Sequence, residues 1–99
     1  MKLQLHSIKF DADGKLLEYI QKRANKLDTF YDRIIDGEVF MRVEKNDHNL
    51  NKSIEIKVNI PGEQLFAREN SSSFEAATDL ALESLKRQLK KYKAKKYKH

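Results

Sequence analysis

The sequence contains no cysteine, which excludes disulfides and thiolate-based zinc sites and fits a reducing compartment without requiring one. Tryptophan is absent too, and three glycines and one proline leave little material for long loops. The glycines stand alone at Gly14, Gly37 and Gly62, so there is no glycine-rich phosphate loop. No run of about 18 apolar residues occurs, and the N-terminus lacks a signal-peptide apolar region. A cytosolic protein with no membrane contact is therefore expected. The three histidines, His6, His48 and His99, have no partner at metal-ligand spacing. Ser71, Ser72 and Ser73 read as a helix cap rather than a nucleophile. The acids are too scattered to pick out a catalytic carboxylate pair. The expectation is a binder, not an enzyme, with no cofactor, metal or small-molecule substrate.

Acid is also missing from one end of the chain. Residues 84–99 carry eight of the twenty Lys+Arg and no Asp or Glu. The first 83 residues then hold twelve Lys+Arg against fifteen Asp+Glu, a net charge of −3, while the whole chain is +5. Segregated positive charge that starts on an amphipathic helix is the usual footprint of a protein that grips a polyanion. The plainer alternative is a solvated basic tail with no dedicated partner.

Ninety-nine residues suit one domain, 1–99, with one modest core. Alternation at Leu3 and Leu5 predicts a strand over about 2–8. Either Asp11 or Asp13 can cap the helix that follows over roughly 14–30, where Leu16, Leu17, Ile20, Ala24, Leu27 and Tyr31 form one stripe. Gly37 marks a break. Val39, Met41 and Val43 then alternate with Glu38, Phe40, Arg42 and Glu44 in a second strand, and the polar stretch 45–51 reads as a hairpin loop. Ile54, Ile56, Val58 and Ile60 face one way along a third strand, opposite Ser53, Glu55, Lys57 and Asn59. Pro61-Gly62 is a turn, and a fourth strand begins near Leu65. Ser72 and Glu75 match a capping box. The last helix places Phe74, Ala77, Ala81, Leu85, Leu89 and Tyr92 on one stripe. That stripe reaches Lys96, so docking should end near residue 93, with 94–99 a flexible basic tail that projects into solvent or is disordered. The predicted order is β-α-β-β-β-α, an α+β fold with both helices on one face of a four-stranded sheet.

On the first helix Lys15, Lys22 and Lys26 lie opposite the Ile20 stripe, with Arg23 at its edge. On the second, Lys86, Arg87, Lys90, Lys91 and Lys93 cover the flanks and back. A merely soluble face would intersperse acids, and the helix macrodipole accounts for one or two lysines rather than eight. Two basic helices on one sheet face can form a single positive ridge or groove suited to a phosphate backbone. No helix-turn-helix, zinc-finger or RNP aromatic motif is present, which favours recognition of folded RNA by shape and backbone. A general binder of double-stranded or structured RNA, and a protein-interaction module whose basic helix meets an acidic partner, are the other readings.

The segments Glu18-Tyr-Ile20, Lys26-Leu27, Phe30-Tyr-Asp-Arg-Ile34, Val43-Glu-Lys45, Ala76-Ala-Thr-Asp79 and Leu85-Lys-Arg-Gln-Leu-Lys-Lys-Tyr-Lys93 resemble the ribosome hibernation-promoting factor family, which includes protein Y and the sigma-54 modulation proteins. The resemblance covers essentially the whole chain, and residues 87–93 are its most specific part. It implies a β-α-β-β-β-α fold similar to a double-stranded-RNA-binding domain. It further implies a stress factor that binds the small ribosomal subunit where mRNA and tRNA would lie, contacts 16S rRNA and silences idle ribosomes. Family basic positions match Arg23, Lys26, Arg87, Lys91 and Lys93; Lys22, Lys86 and Lys90 rest on the charge-face argument alone. Glu75 stands where the family often has an aromatic, with Phe74 one place earlier. Thr78 stands where an aliphatic is usual. Both departures bear on packing more than on RNA contact. Long members carry a further C-terminal dimerisation domain of about a hundred residues, the size of a small domain; a chain ending at His99 resembles the short type.

Overall fold

The computed structural model describes residues 1–45 and 51–96, and most of the turn expected over 45–51 lies outside them. The elements are β1 (Lys2–Ile8), α1 (Gly14–Phe30), β2 (Asp36–Val43), β3 (Lys52–Ile60), β4 (Glu63–Ser71) and α2 (Phe74–Lys96). The predicted β-α-β-β-β-α order holds. The strands form one sheet in the order β1-β2-β3-β4. β1 runs parallel to β2, because α1 carries the chain back across the sheet between them, and β2-β3 and β3-β4 pair antiparallel.

The period-two pattern decides which sheet face is covered. Val39, Met41, Ile54, Ile56, Val58 and Ile60 are at most 2% exposed and join Ile20, Ala24, Leu27, Ala81, Leu85 and Leu89 of the helices in one core. Both helices therefore lie on the same face. Val43, on the same parity as Met41, is 48% exposed at the end of its strand. The other face carries a self-neutralising layer. Arg42 pairs with Glu55 at 3.0 Å, Arg68 bridges Glu44 and Glu55, His6 meets Glu38 at 3.2 Å, and the Lys57 ammonium sits 5.4 Å from the Phe40 ring centroid. Ser53 is buried beneath this layer, and Asn70 and Arg68 hold the Glu44 carboxyl below its usual pKa by direct hydrogen bonds.

Gly37 is not a break. It sits inside β2, paired to both Leu3 and Val58, and a Cβ there would meet the Leu3 side chain at 3.0 Å and the Lys57 carbonyl at 3.1 Å. The strands approach too closely for any larger residue without a shift. Gly62 takes φ +79° after Pro61, the pairing that a type II turn demands, and it joins β3 to a fourth strand that starts at Glu63 rather than Leu65.

Of the two candidate caps for α1, Asp13 is the one used: its carboxylate accepts from the Leu16 amide at 2.8 Å. The cap of α2 differs from the expected one. Ser73, not Ser72, accepts from the Ala76 amide at 3.1 Å, which puts Glu75 at the second helical position, so the capping box does not form. Phe74 settles this register, because it stacks on Phe10 with ring centroids 5.1 Å apart and planes 3° from parallel. α2 also runs further than the docked stripe requires. It stays helical through Lys96, with Ala94 and Lys95 exposed. The stretch read as loose from residue 94 is therefore helix as far as Lys96, and 97–99 lie outside the described residues.

Candidate RNA-binding face on the two helices

α2 is polarised along its length. Its acids, Glu75, Asp79 and Glu83, all precede Lys86, and every charged residue from Lys86 to Lys96 is basic. Negative charge near the N-terminus and positive charge near the C-terminus both complement the helix dipole. The helix tolerates this segregation, and it delivers a cationic end to the molecule.

Where α1 packs beside α2, a cleft of about 580 Å³ opens. Arg23, Lys26 and Lys86 line it, over a floor that includes Leu27, Phe30 and Leu82, with Asp79 and Glu83 on the same wall. Three of the eight predicted basic residues thus converge at one place. Lys93 comes near but has a job within the fold. It is half-buried, its ammonium donates to the Phe30 carbonyl at 3.1 Å, and it lies 4.7 Å from the Phe30 ring centroid. α1 has no basic residue in its own last turn, so Lys93 of α2 supplies the cation that its C-terminal carbonyls favour. Lys86 approaches the same ring at 5.7 Å. Lys22, Arg87, Lys90 and Lys91 are exposed, stand outside the cleft and make no ion pair among the described residues.

Arg23 is not a free cation. Its Nε donates to Asp79 at 2.9 Å, and its guanidinium lies 5.6 Å from the centre of the Tyr19 ring. The Tyr19 hydroxyl donates to the same carboxylate, at 3.0 and 2.8 Å to its two oxygens. Burial works against the Asp79 charge, yet the bonds from Arg23 and Tyr19 outweigh it and hold the carboxyl below its usual pKa. Burial and then the bond to Asp79 push the Tyr19 hydroxyl up. Asp79 pushes Arg23 up as well.

Asp79, Tyr19 and Phe30 were not among the candidates from sequence, although the spacing held a signal. Tyr19 and Arg23 are four apart on α1, and Asp79 and Lys86 are seven apart on α2, so each pair shares a helix face. That the two faces meet is a tertiary fact. Among the described residues no cluster of three or more His, Cys, Asp or Glu could hold a metal ion, and no helix is long and apolar enough to cross a membrane.

Comparison with known proteins identifies the family and the fold. The chain is 31% identical over 94 residues to a ribosome hibernation promotion factor of Deinococcus radiodurans, covering 93% of this chain but 49% of that protein, so it spans about half that relative's length. It is 30% identical over 95 residues to the ribosome hibernation promoting factor of Azotobacter vinelandii, covering 96% of this chain and 85% of that one. Among solved structures, a ribosomal subunit interface protein from Coxiella burnetii superposes with a TM-score of 0.83 at 26% identity, covering 95% and 99% of the two chains. The N-terminal domain of Thermus thermophilus protein Y shares the fold at a TM-score of 0.81, 22% identity, and coverage of 93% and 99%. Residues 3–97 match the family described as sigma 54 modulation protein / S30EA ribosomal protein, and the chain belongs to that family.

Proposed function

We propose that this protein is a cytoplasmic, non-enzymatic ribosome hibernation factor. It binds the small ribosomal subunit in the path of mRNA and tRNA, holds 16S rRNA by its phosphates, and so blocks translation on idle ribosomes. One observation carries the reading: positive charge is concentrated on the helices while the open sheet face pairs both its arginines with glutamates. A partner chosen by charge therefore meets the helical face, and a phosphate backbone is the polyanion that such a face suits. The names of the relatives point the same way.

Purified 30S subunits test the reading directly. The protein should co-sediment with them at low salt and be released as salt rises, with a log–log slope set by the number of phosphates neutralised. Arg87→Glu combined with Lys91→Glu should abolish binding at a salt concentration where the native chain is still bound. Initiator tRNA should compete if the site is the tRNA path. A protein found wholly in the supernatant at low salt would overturn the proposal.

A further inference from the structure

The cleft between α1 and α2 mixes cations with two acids, Asp79 and Glu83. An acid on a wall that receives phosphate lowers affinity by Coulomb repulsion, so each needs a reason to be there. The two are held differently. Asp79 accepts from Arg23 and Tyr19, whereas Glu83 is exposed and makes no hydrogen bond or ion pair among the described residues.

We propose that Asp79 is a positioning residue for phosphate binding: it fixes the Arg23 guanidinium in the interhelical cleft so that the remaining donors of the fork close, with Lys26 and Lys86, on one backbone phosphate. This rests on the reading of the helices as an RNA-binding face. A guanidinium carries five N–H donors. Asp79 takes the Nε donor and Tyr19 lies alongside, leaving a planar set of donors in a site that Lys26 and Lys86 also line. Bidentate contact with phosphate needs that planarity in a fixed orientation. Half-exposed arginines usually lose much rotamer freedom when they bind. This one is already held from α2 by the carboxylate and from its own helix by the Tyr19 ring. Preorganisation of that kind lowers the cost of binding.

The proposal inverts the sign that charge counting predicts. Asp79→Asn makes the protein more basic by one charge, yet it should weaken binding to 30S subunits about tenfold, the scale of one charge-assisted hydrogen bond. The slope of log affinity against log salt should shrink by about 0.7–0.9, one phosphate contact. Glu83→Gln makes the same charge change in the same cleft and should instead tighten binding roughly twofold, as for loss of an exposed acid. In an Arg23→Gln background, Asp79→Asn should cause no further loss, because the acid acts through Arg23. A purely structural role for Asp79 would lower Tm and leave the salt slope alone. Binding by Asp79→Asn equal to or tighter than the native chain overturns the proposal while leaving the RNA-binding reading intact. If Asp79→Asn does not fold, Arg23→Lys makes the same test: charge is kept and the fork is lost, so native affinity there overturns it. A native chain that fails to bind 30S subunits at any salt overturns both.

Discussion

Thr78 is fully buried on α2, and its hydroxyl has no hydrogen-bond partner among the described residues. An orphaned buried hydroxyl costs about 1–3 kcal/mol, and valine has the same branched shape without it. Thr78→Val should therefore raise the free energy of unfolding by about 1 kcal/mol in urea melts at unchanged m-value; a loss of stability would contradict the orphan assignment. The Tyr19–Asp79–Arg23 cluster makes a second prediction at this scale. Asp79 has a folded pKa below its ordinary 3.8, so its contribution is present above that value and is lost as pH falls through the folded pKa. Tyr19 has a folded pKa above 10.0, so its contribution is present below that value and is lost as pH rises through the raised one. The stability difference between the native chain and Asp79→Asn should be flat through neutral pH and shrink below about pH 4, near the ordinary aspartate pKa. The difference from Tyr19→Phe should shrink above about pH 10, near the ordinary tyrosine pKa. Chemical denaturation across pH checks both limbs.

At the scale of elements, the start of α2 separates two adjacent serines. Ser73→Ala should cost about 1 kcal/mol of stability, since it removes the side chain that accepts from Ala76. Ser72→Ala should fall within about 0.5 kcal/mol of the native chain, as for an exposed residue away from such a feature. Equal losses would mean that the cap is shared. The pair also shows where sequence reasoning stops. Each element was legible because its apolar residues repeat at 2 or 3.6, and β3 buries Ile54, Ile56, Val58 and Ile60 as its alternation predicts, with Ser53 buried on the opposite face as well. Ser72 matched a local motif better than Ser73, but the stacking of Phe74 on Phe10, distant in sequence, fixed the helix start. Gly37 looked like punctuation because its reason, close approach to Leu3 and Lys57, lies on two other strands. In the cleft the cations were legible from charge and helical phase, while Asp79 was not, because its meaning comes from Arg23 on the other helix.

Across the whole molecule, charge and packing are separable, and the C-terminal end of α2 is where they part. Apolar contact ends at Tyr92 and the half-buried Lys93, whose ammonium caps α1; beyond it Ala94 and Lys95 are exposed. Residues 94–99 nevertheless carry three lysines and no acid. Removing them takes the net charge from +5 to +2. Such a truncation should leave Tm within about 2 °C of the native value, because among the described residues it deletes no core contact and surface changes seldom exceed about 0.5 kcal/mol. Its affinity for 30S subunits should fall at low salt and converge on that of the native chain at high salt, where screening removes the long-range attraction. Association should slow more than dissociation quickens, since exposed charge at the rim of a site acts chiefly on encounter. Lys93→Met should behave in the opposite way. It removes the cation from the α1 C-terminus and the contact with Phe30, so Tm should drop together with binding. Finding instead that truncation after Lys93 lowers Tm as much as Lys93→Met would place the end of the docked helix further along than the apolar stripe allows.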